Sequence, residues 1–154
     1  MNFAEYTAAV DRGEFPEDRM VTLPAPFVNE GGEIQNLLLS PMNSVAILNT
    51  KKGWVRANHW HKTDWHYSYI VKGEVLYYER AVGEIEIPPA KLFVAGEMFF
   101  TPPNVEHAMV FPVDTVFITM AKNVRDHAHH EDDVVRVSFI SPAQAQAEIH
   151  WYNK

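Results

Sequence analysis

The sequence predicts an all-β fold, an antiparallel sandwich or barrel. About nine or ten short segments rich in Val, Ile, Phe and Tyr alternate with turn signals, a spacing typical of such folds. Ten prolines argue against a helical fold, because proline interrupts helix hydrogen bonding. A chain of 154 residues has the usual length of one domain with its own core. We therefore expect a single domain over residues 1–154.

The first part of the chain predicts one helix and then strands. Asn2 is a candidate N-cap for a helix over 2–12 that ends at Gly13. The segment 20–23 predicts a short strand, which the following prolines confine to a sheet edge. Apolar runs predict strands over 33–40 and 43–50.

The rest of the chain continues the strand pattern. Further strands are predicted over 54–60, 66–72, 74–80, 92–95, 98–101, 106–111, 115–121 and 134–140. Residues 81–90 are expected to form a loop or irregular edge. The polar segment 123–133 predicts a solvated loop, with a second site as the alternative because histidines and carboxylates mix there. Ser141 followed by Pro142 predicts a short final helix.

Composition and charge narrow the range of partners and locations. A net charge of −7 without a basic cluster disfavours nucleic-acid binding. The absence of cysteine excludes disulfides, thiolate metal sites and cysteine nucleophiles. The start of the chain lacks the features of a signal peptide, and no apolar run is long enough to span a bilayer. We therefore expect a cytoplasmic protein with a small-molecule substrate and no membrane partner.

A histidine-rich stretch predicts the functional site. Of the eight histidines in the chain, His59, His61 and His66 fall close together. The i, i+2 spacing of His59 and His61 directs both side chains to one face of a strand. His66 opens the next strand, and Gly73 permits a tight turn at its end. If the two strands pair, three imidazoles converge on one point, where they suit a divalent metal.

A second stretch, 96–111, provides a fourth histidine. The prolines and Asn104 predict a turn that leads onto a strand carrying His107. His107, Met109 and Phe111 then share one face of that strand.

The two stretches together resemble the motifs of the cupin superfamily. The first motif of that family, over 53–73, is matched in spacing by Gly53, His59, His61, His66 and Gly73. His66 stands where the family usually has Glu. The second motif, over 96–111, is matched by Gly96, Pro102 and His107, with Asn104 in place of a Gly and Phe111 in place of an Asn. Asn tolerates the left-handed backbone conformation that Gly would supply.

The resemblance implies a double-stranded β-helix, or jelly roll, with a barrel core over about 33–140 and short helical segments at either end. It also implies a metal held inside the barrel by four histidines: His59, His61, His66 and His107. Imidazole nitrogen favours a divalent transition metal, namely Mn, Fe, Ni, Cu or Zn. The departure at His66 leaves a second role open, that of a general acid/base. A homodimer is a further expectation from the family.

Other residues are candidates for substrate contacts or for packing. Arg125 and Arg136 can bind an anionic group through bidentate hydrogen bonds, and Met109 can line an apolar pocket. Regular alternation predicts that Tyr67 and Tyr69 face away from His66, and that Arg56 faces away from His59. The pattern His130-Glu131-x-Asp133-Val-Val-Arg136 resembles single-domain cupins of sugar or polysaccharide metabolism.

Three functions are compatible with these residues. The first is a metal-dependent enzyme, a dioxygenase or an isomerase, in which the metal does the chemistry. The second is a metal-independent isomerase or epimerase of a nucleotide sugar, in which the histidines move protons and Tyr69 or Tyr77 assists. The third is a non-catalytic module that binds a small ligand. The fold alone does not decide among them.

Overall fold

The structure, a computed structural model, describes residues 1–153. Two five-stranded antiparallel sheets form a double-stranded β-helix, as the sequence predicts, and a two-stranded hairpin lies beside them. The helices are α1 (Phe3–Asp11), α2 (His127–Asp133) and α3 (Pro142–Tyr152). The strands are β1 (Met20–Val21), β2 (Phe27–Asn29), β3 (Gly32–Ile34), β4 (Ser44–Thr50), β5 (Val55–His61), β6 (His66–Lys72), β7 (Glu74–Ala81), β8 (Lys91–Val94), β9 (Met98–Thr101), β10 (Val105–Val110), β11 (Thr115–Ala121) and β12 (Val134–Arg136).

The two sheets bring distant parts of the chain together. Sheet I has the order β1-β9-β6-β11-β4, and sheet II has the order β12-β5-β10-β7-β8. An apolar cluster fills the space between them with residues of both sheets, including Ile70, Tyr77, Phe99 and Phe117. The strands that carry the four predicted site histidines are β5 and β10, which are neighbours in sheet II, and β6 at the centre of sheet I.

The N-terminal helix covers the outer face of sheet I. Asn2 caps α1 through a reciprocal pair of hydrogen bonds with Glu5, which satisfies two donors at the start of the helix. Tyr6 of α1 packs with Tyr67 and Phe100 in one buried cluster. This confirms the predicted helix and the predicted outward direction of Tyr67, whose side chain is fully buried by this packing.

Two predicted strands differ from the observed ones. Only residues 33 and 34 of the predicted strand 33–40 are extended, as part of β3, which pairs with Phe27–Asn29 across a tight turn. The leucines that follow are irregular. The last strand stops at Arg136 and not at residue 140. Beyond it, the backbone bonds to Asn58, whose backbone oxygen accepts from Val137 and whose side-chain oxygen accepts from Ile140.

A bulge interrupts β5 just before the histidine pair. Ala57 and Asn58 have φ angles of 71° and 53°, in the left-handed region. The pairing of β5 with β10 shifts register at the same place, since His107 opposes His59 while Ala108 opposes Ala57. A bulge re-aims the side chains that precede it. Arg56 is therefore directed differently from what regular alternation predicts.

No helix in residues 1–153 is long and apolar enough to cross a membrane. The single domain over 1–154 and the cytoplasmic location stay predictions.

Candidate functional site

Four imidazoles meet inside the barrel. His59 and His61 come from β5, His66 from β6 and His107 from β10, and all four are buried. The ring centroid of His61 lies 4.8 Å from that of His59, 5.5 Å from that of His107 and 5.6 Å from that of His66. The structure thus brings together the four histidines that the sequence singled out. One nitrogen each from His59, His61 and His107 lies within 4.8 Å of the others, and His66 is outside this tighter set.

The imidazoles border a cavity of about 300 Å³ that lies between the two sheets. Its walls are partly apolar, because Met109 and Phe117 of the core cluster line it, as do Ala46 and Leu48 of β4. Its other lining residues are polar or near the bulge: Arg56, Ala57, His59, His61, His66, His107, Thr119, Arg125 and His130. A cavity with apolar walls and a few convergent polar groups is typical of small-molecule sites.

His61 is oriented by a carboxylate from the other end of the chain. Its Nδ1 lies 3.1 Å from Oδ2 of Asp133, so the hydrogen is on Nδ1 and points at the carboxylate. Asp133 is itself held by the backbone N–H and hydroxyl of Thr63 and by the backbone N–H of Asp64. The Nε2 atom of His61 is left as an acceptor, and it is buried without a hydrogen-bond partner in the described chain.

In His66 the two ring nitrogens have the reverse roles of those in His61: Nδ1 accepts a hydrogen bond and Nε2 carries the hydrogen. Nη2 of Arg125 lies 2.9 Å from Nδ1 of His66, and a guanidinium offers only donors, so Nδ1 must accept. The hydrogen of the neutral ring is therefore on Nε2. Arg125 is held by Asp64, whose Oδ2 accepts from Nε of Arg125 at 2.8 Å.

His107 repeats the arrangement of His61. Its Nδ1 donates to the backbone oxygen of Val105 at 3.3 Å, which leaves Nε2 as an acceptor. Among residues 1–153, His59 finds no partner for its buried Nδ1.

All four rings are neutral at physiological pH. Burial and the neighbouring His107 lower the pKa of His59 to about 2. Burial lowers the pKa of His61 and of His107 to about 3, although Asp133 acts in the opposite direction on His61. Burial and the charge of Arg125 hold the pKa of His66 well below its usual range. The site thus offers uncharged rings as proton acceptors and donors.

The bulge in β5 directs Arg56 into the cavity, on the side opposite to the one that the sequence predicted. Arg56 was predicted to face away from His59, but it lines the same cavity because Ala57 and Asn58 break the alternation of the strand. Its Nε donates to the hydroxyl of Thr50 at 2.6 Å, and no carboxylate in the described chain pairs with it. Asn58, a residue that tolerates left-handed backbone, is the only local signal for this bulge.

Two of the three residues predicted to contact the substrate line the cavity, and the third does not. Met109 and Arg125 line the cavity. Arg136 is not among the lining residues, and its Nη2 pairs with Oε1 of Glu131 at 2.7 Å near the surface. The predicted tyrosine assistants, Tyr69 and Tyr77, are not among the lining residues either.

The segment 123–133 is more than the solvated loop that was predicted. It contains α2, whose N-cap Asp126 accepts from the backbone of His129, and it contributes Arg125, His130 and Asp133 to the site. The mixture of histidines and carboxylates was a signal for this role. The Asp126 cap was a signal for the helix.

No protein-family model and no curated protein matches the chain, but solved structures do. A double mutant of the 3,4-ketoisomerase QdtA from Thermoanaerobacterium thermosaccharolyticum, in complex with TDP, is 18% identical with a TM-score of 0.56, covering 73% of this chain and 82% of its own. The 3,5-epimerase RmlC from Legionella pneumophila, in complex with dTDP-4-keto-L-rhamnose, is 14% identical with a TM-score of 0.58, covering 79% and 73%.

The capsular polysaccharide assembling protein CapF from Staphylococcus aureus is also similar, with 23% identity and a TM-score of 0.53 over 81% of this chain. The alignment covers 37% of CapF, so this chain spans only part of that protein's length. At such identities the likeness shows the fold, the double-stranded β-helix.

The comparisons correct the predicted cofactor. A divalent transition metal held by four histidines was expected, but QdtA and RmlC are named as a 3,4-ketoisomerase and a 3,5-epimerase, and both are bound to TDP or a TDP-linked sugar. Such reactions proceed by proton transfer beside a carbonyl and need no metal. The metal prediction is therefore wrong, and the dioxygenase reading is not supported. His66 is also unsuited to ligation, because its Nε2 carries the hydrogen and Arg125 occupies its Nδ1.

Proposed function

We propose that this chain is an isomerase or epimerase of a nucleotide-linked keto sugar and acts by proton transfer without a metal. The observation that carries the proposal is the pair of His61 and Asp133. The carboxylate holds the hydrogen of His61 on Nδ1, so Nε2 is free to take a proton in the cavity. The likeness in fold to a 3,4-ketoisomerase and a 3,5-epimerase supports the same class of reaction.

The proposed step is a balanced proton transfer. Nε2 of His61 takes a proton from the carbon next to the carbonyl, and the electron pair of that C–H bond moves to the carbonyl oxygen. Return of the proton to the same carbon from the opposite face gives an epimer. Where the deprotonated carbon carries a hydroxyl, return of the proton to the former carbonyl carbon and transfer of the hydroxyl proton to the former carbonyl oxygen move the ketone by one position. Neither outcome needs an oxidant or reductant.

The environment of His61 suits this role. Burial lowers the pKa of His61 and so favours the neutral ring before the reaction. When the ring accepts a proton, Asp133 stabilises the imidazolium that forms. Three hydrogen bonds from Thr63 and Asp64 hold the carboxylate in place, so little reorganisation is required.

The cavity also offers a site for the anionic part of the substrate. Arg56 lines it without a carboxylate partner in the described chain, although the protein as a whole is acidic. Guanidinium groups bind phosphate oxygens with two parallel hydrogen bonds. We assign the diphosphate of the substrate to Arg56, with the sugar directed toward the histidines.

The test is deuterium exchange. The protein, stripped of metal with a chelator, is incubated with TDP-4-keto-6-deoxyglucose in D₂O, and proton NMR follows the sugar. We expect deuterium at a carbon next to the carbonyl, unchanged by the chelator and lost in His61→Asn. His150→Gln, an exposed histidine of α3, is the matched control and retains exchange. Binding of the sugar without deuterium exchange contradicts the proposed catalysis and favours a non-catalytic binding module.

We also propose that the chain forms a homodimer. Val45 and Ile47 of the edge strand β4 are 65% and 64% exposed, and Phe27 and Val28 of the hairpin are 61% and 65% exposed. Exposed apolar residues on an open edge and an isolated hairpin are features that association covers. Light scattering after size exclusion measures the mass, and Ile47→Lys is expected to shift it toward the monomer. A monomeric wild type contradicts the proposal.

A further inference from the structure

We propose that His66 donates a hydrogen bond to the keto oxygen of the substrate and stabilises the enolate, and that Arg125 is the positioning residue that makes His66 a donor. This inference rests on the function proposed above. It assigns to His66 the stabilisation of the negative charge that develops on the keto oxygen. The cupin motif that the stretch 53–73 resembles usually has Glu at the position of His66.

The hydrogen-bond chain behind His66 fixes its tautomer. Asp64 is 1% exposed and accepts from the backbone N–H of Trp65, the backbone N–H of Asn123 and Nε of Arg125. With its guanidinium anchored in this way, Arg125 aims Nη2 at Nδ1 of His66 over 2.9 Å. The only ring hydrogen of neutral His66 is then on Nε2, the atom that remains for the substrate.

The opposite polarity of His61 makes the pair complementary. His61 donates from Nδ1 to Asp133 and keeps a bare Nε2, whereas His66 accepts at Nδ1 and keeps a protonated Nε2. Their ring centroids are 5.6 Å apart at the wall of one cavity. One substrate can therefore present its C–H bond to His61 and its carbonyl oxygen to His66.

The charge behind the ring adds to the effect. When His61 removes the proton, the electron pair of the C–H bond becomes negative charge on the carbonyl oxygen, and no atom is gained or lost. The Nε2–H of His66 contacts that oxygen, and the guanidinium of Arg125 lies directly behind the ring. Donors fixed before the reaction and directed at developing charge lower the barrier most effectively. The same positive charge, together with burial, keeps His66 from becoming protonated and from losing this orientation.

The tautomer is tested without reference to activity. Long-range proton–nitrogen correlation NMR distinguishes a bare ring nitrogen from a protonated one. We expect bare Nδ1 and protonated Nε2 in His66, and the reverse in His61 and His107. Arg125→Met is expected to release the His66 ring into a mixture of tautomers, while Arg12→Met, an exposed arginine paired with Glu14, leaves it unchanged. A protonated Nδ1 in the wild-type His66 overturns the inference.

The role in the reaction is tested with two replacements of the same residue. His66→Leu removes the donor and is expected to lower kcat about 10²- to 10³-fold with little change in KM. His66→Gln retains an amide N–H and is expected to recover part of that loss, which a purely structural role would not produce. If the wild type exchanges deuterium and His66→Leu keeps half of its kcat, only this inference fails. If the wild type neither binds nor exchanges the sugar, the proposed function fails and the role of His66 fails with it.

Discussion

Nδ1 of His61 lies 3.1 Å from Oδ2 of Asp133, although 72 residues separate the two in the chain. The strand β12 follows Asp133 directly and pairs with β5, so that Val134 opposes His61. Sheet pairing therefore brings the carboxylate to the ring. The contact defines Nε2 as the proton-accepting atom of His61.

Asp133→Asn is expected to lower kcat about 10³- to 10⁴-fold on the keto-sugar substrate, because an amide no longer selects the Nδ1–H tautomer of His61. KM should change little, since Asp133 does not line the cavity. Steady-state kinetics measure both constants. The exposed neighbour Asp132→Asn is the matched control and should retain activity. Equal losses in both variants would show that the effect is structural and not electronic.

Arg56→Met is expected to weaken binding of TDP by about tenfold to a hundredfold, the cost of about 1.5–3 kcal/mol for hydrogen bonds to a charged group. The kcat value should be nearly unchanged, because Arg56 is assigned to the diphosphate and not to the reacting carbon. Calorimetric titration with TDP measures the affinity. Arg12→Met, far from the cavity and paired with Glu14, should bind TDP like the wild type. Undiminished binding by Arg56→Met contradicts the assignment.

The buried histidines predict that acid destabilises the fold. The folded-state pKa values of about 2 for His59 and about 3 for His61 and His107 lie below the unfolded value near 6.5. The unfolded chain therefore binds more protons as pH falls below 6.5, and folding loses stability down to about pH 3. We expect the unfolding free energy to fall by about 1 kcal/mol per histidine for each pH unit below 6.

Urea denaturation at pH 7.5, 6.0 and 5.0 measures this dependence. His59→Gln is expected to reduce its slope by about one histidine's share, since one proton-binding group is removed from the unfolded chain. A stability that stays constant from pH 7.5 to pH 5.0 contradicts the burial of neutral rings.

Gly73→Ala is expected to destabilise the protein by about 3 kcal/mol or more. The φ angle of Gly73 is +95°, and a Cβ there would lie 2.4 Å from Oγ1 of Thr115 and 2.6 Å from the backbone oxygen of Asp114. Gly83→Ala is the matched control, because φ is +90° but no atom lies within 4 Å, so only the backbone conformation costs about 1–2 kcal/mol. Thermal or urea unfolding that ranks the two equally would contradict the steric argument.

Local patterns predicted most of the strands and the convergence of the histidines. Strand β6 has the predicted bounds, 66–72, because its turn residues and its apolar alternation are both local. Arg56 was misplaced because the bulge beside it depends on pairing with β10 and on hydrogen bonds between Asn58 and Ile140, which are 82 residues apart in the chain. Such long-range pairing leaves little trace in a single sequence.

The sequence did not distinguish a metal site from a proton-transfer site, because the residues that set the tautomers are distant in the chain. The same four histidines suit a metal site and proton transfer alike, and what distinguishes the two is which ring nitrogen of each histidine carries the hydrogen. Arg125 and Asp133 decide that, and they are 59 and 72 residues away from His66 and His61. Neither residue is recognisable as a partner until the fold places it.

The connection from β11 to β12 carries both Arg125 and Asp133, and so it governs the donor and the acceptor at once. The strands supply four imidazole rings, and this one connection places the ring hydrogen on Nδ1 of His61 and on Nε2 of His66. A change confined to this connection would therefore alter the tautomers of both histidines and leave the barrel strands unchanged. Residues that form the barrel and residues that set the proton positions thus lie in separate parts of the chain, apart from Thr63 and Asp64, which anchor Asp133 and Arg125.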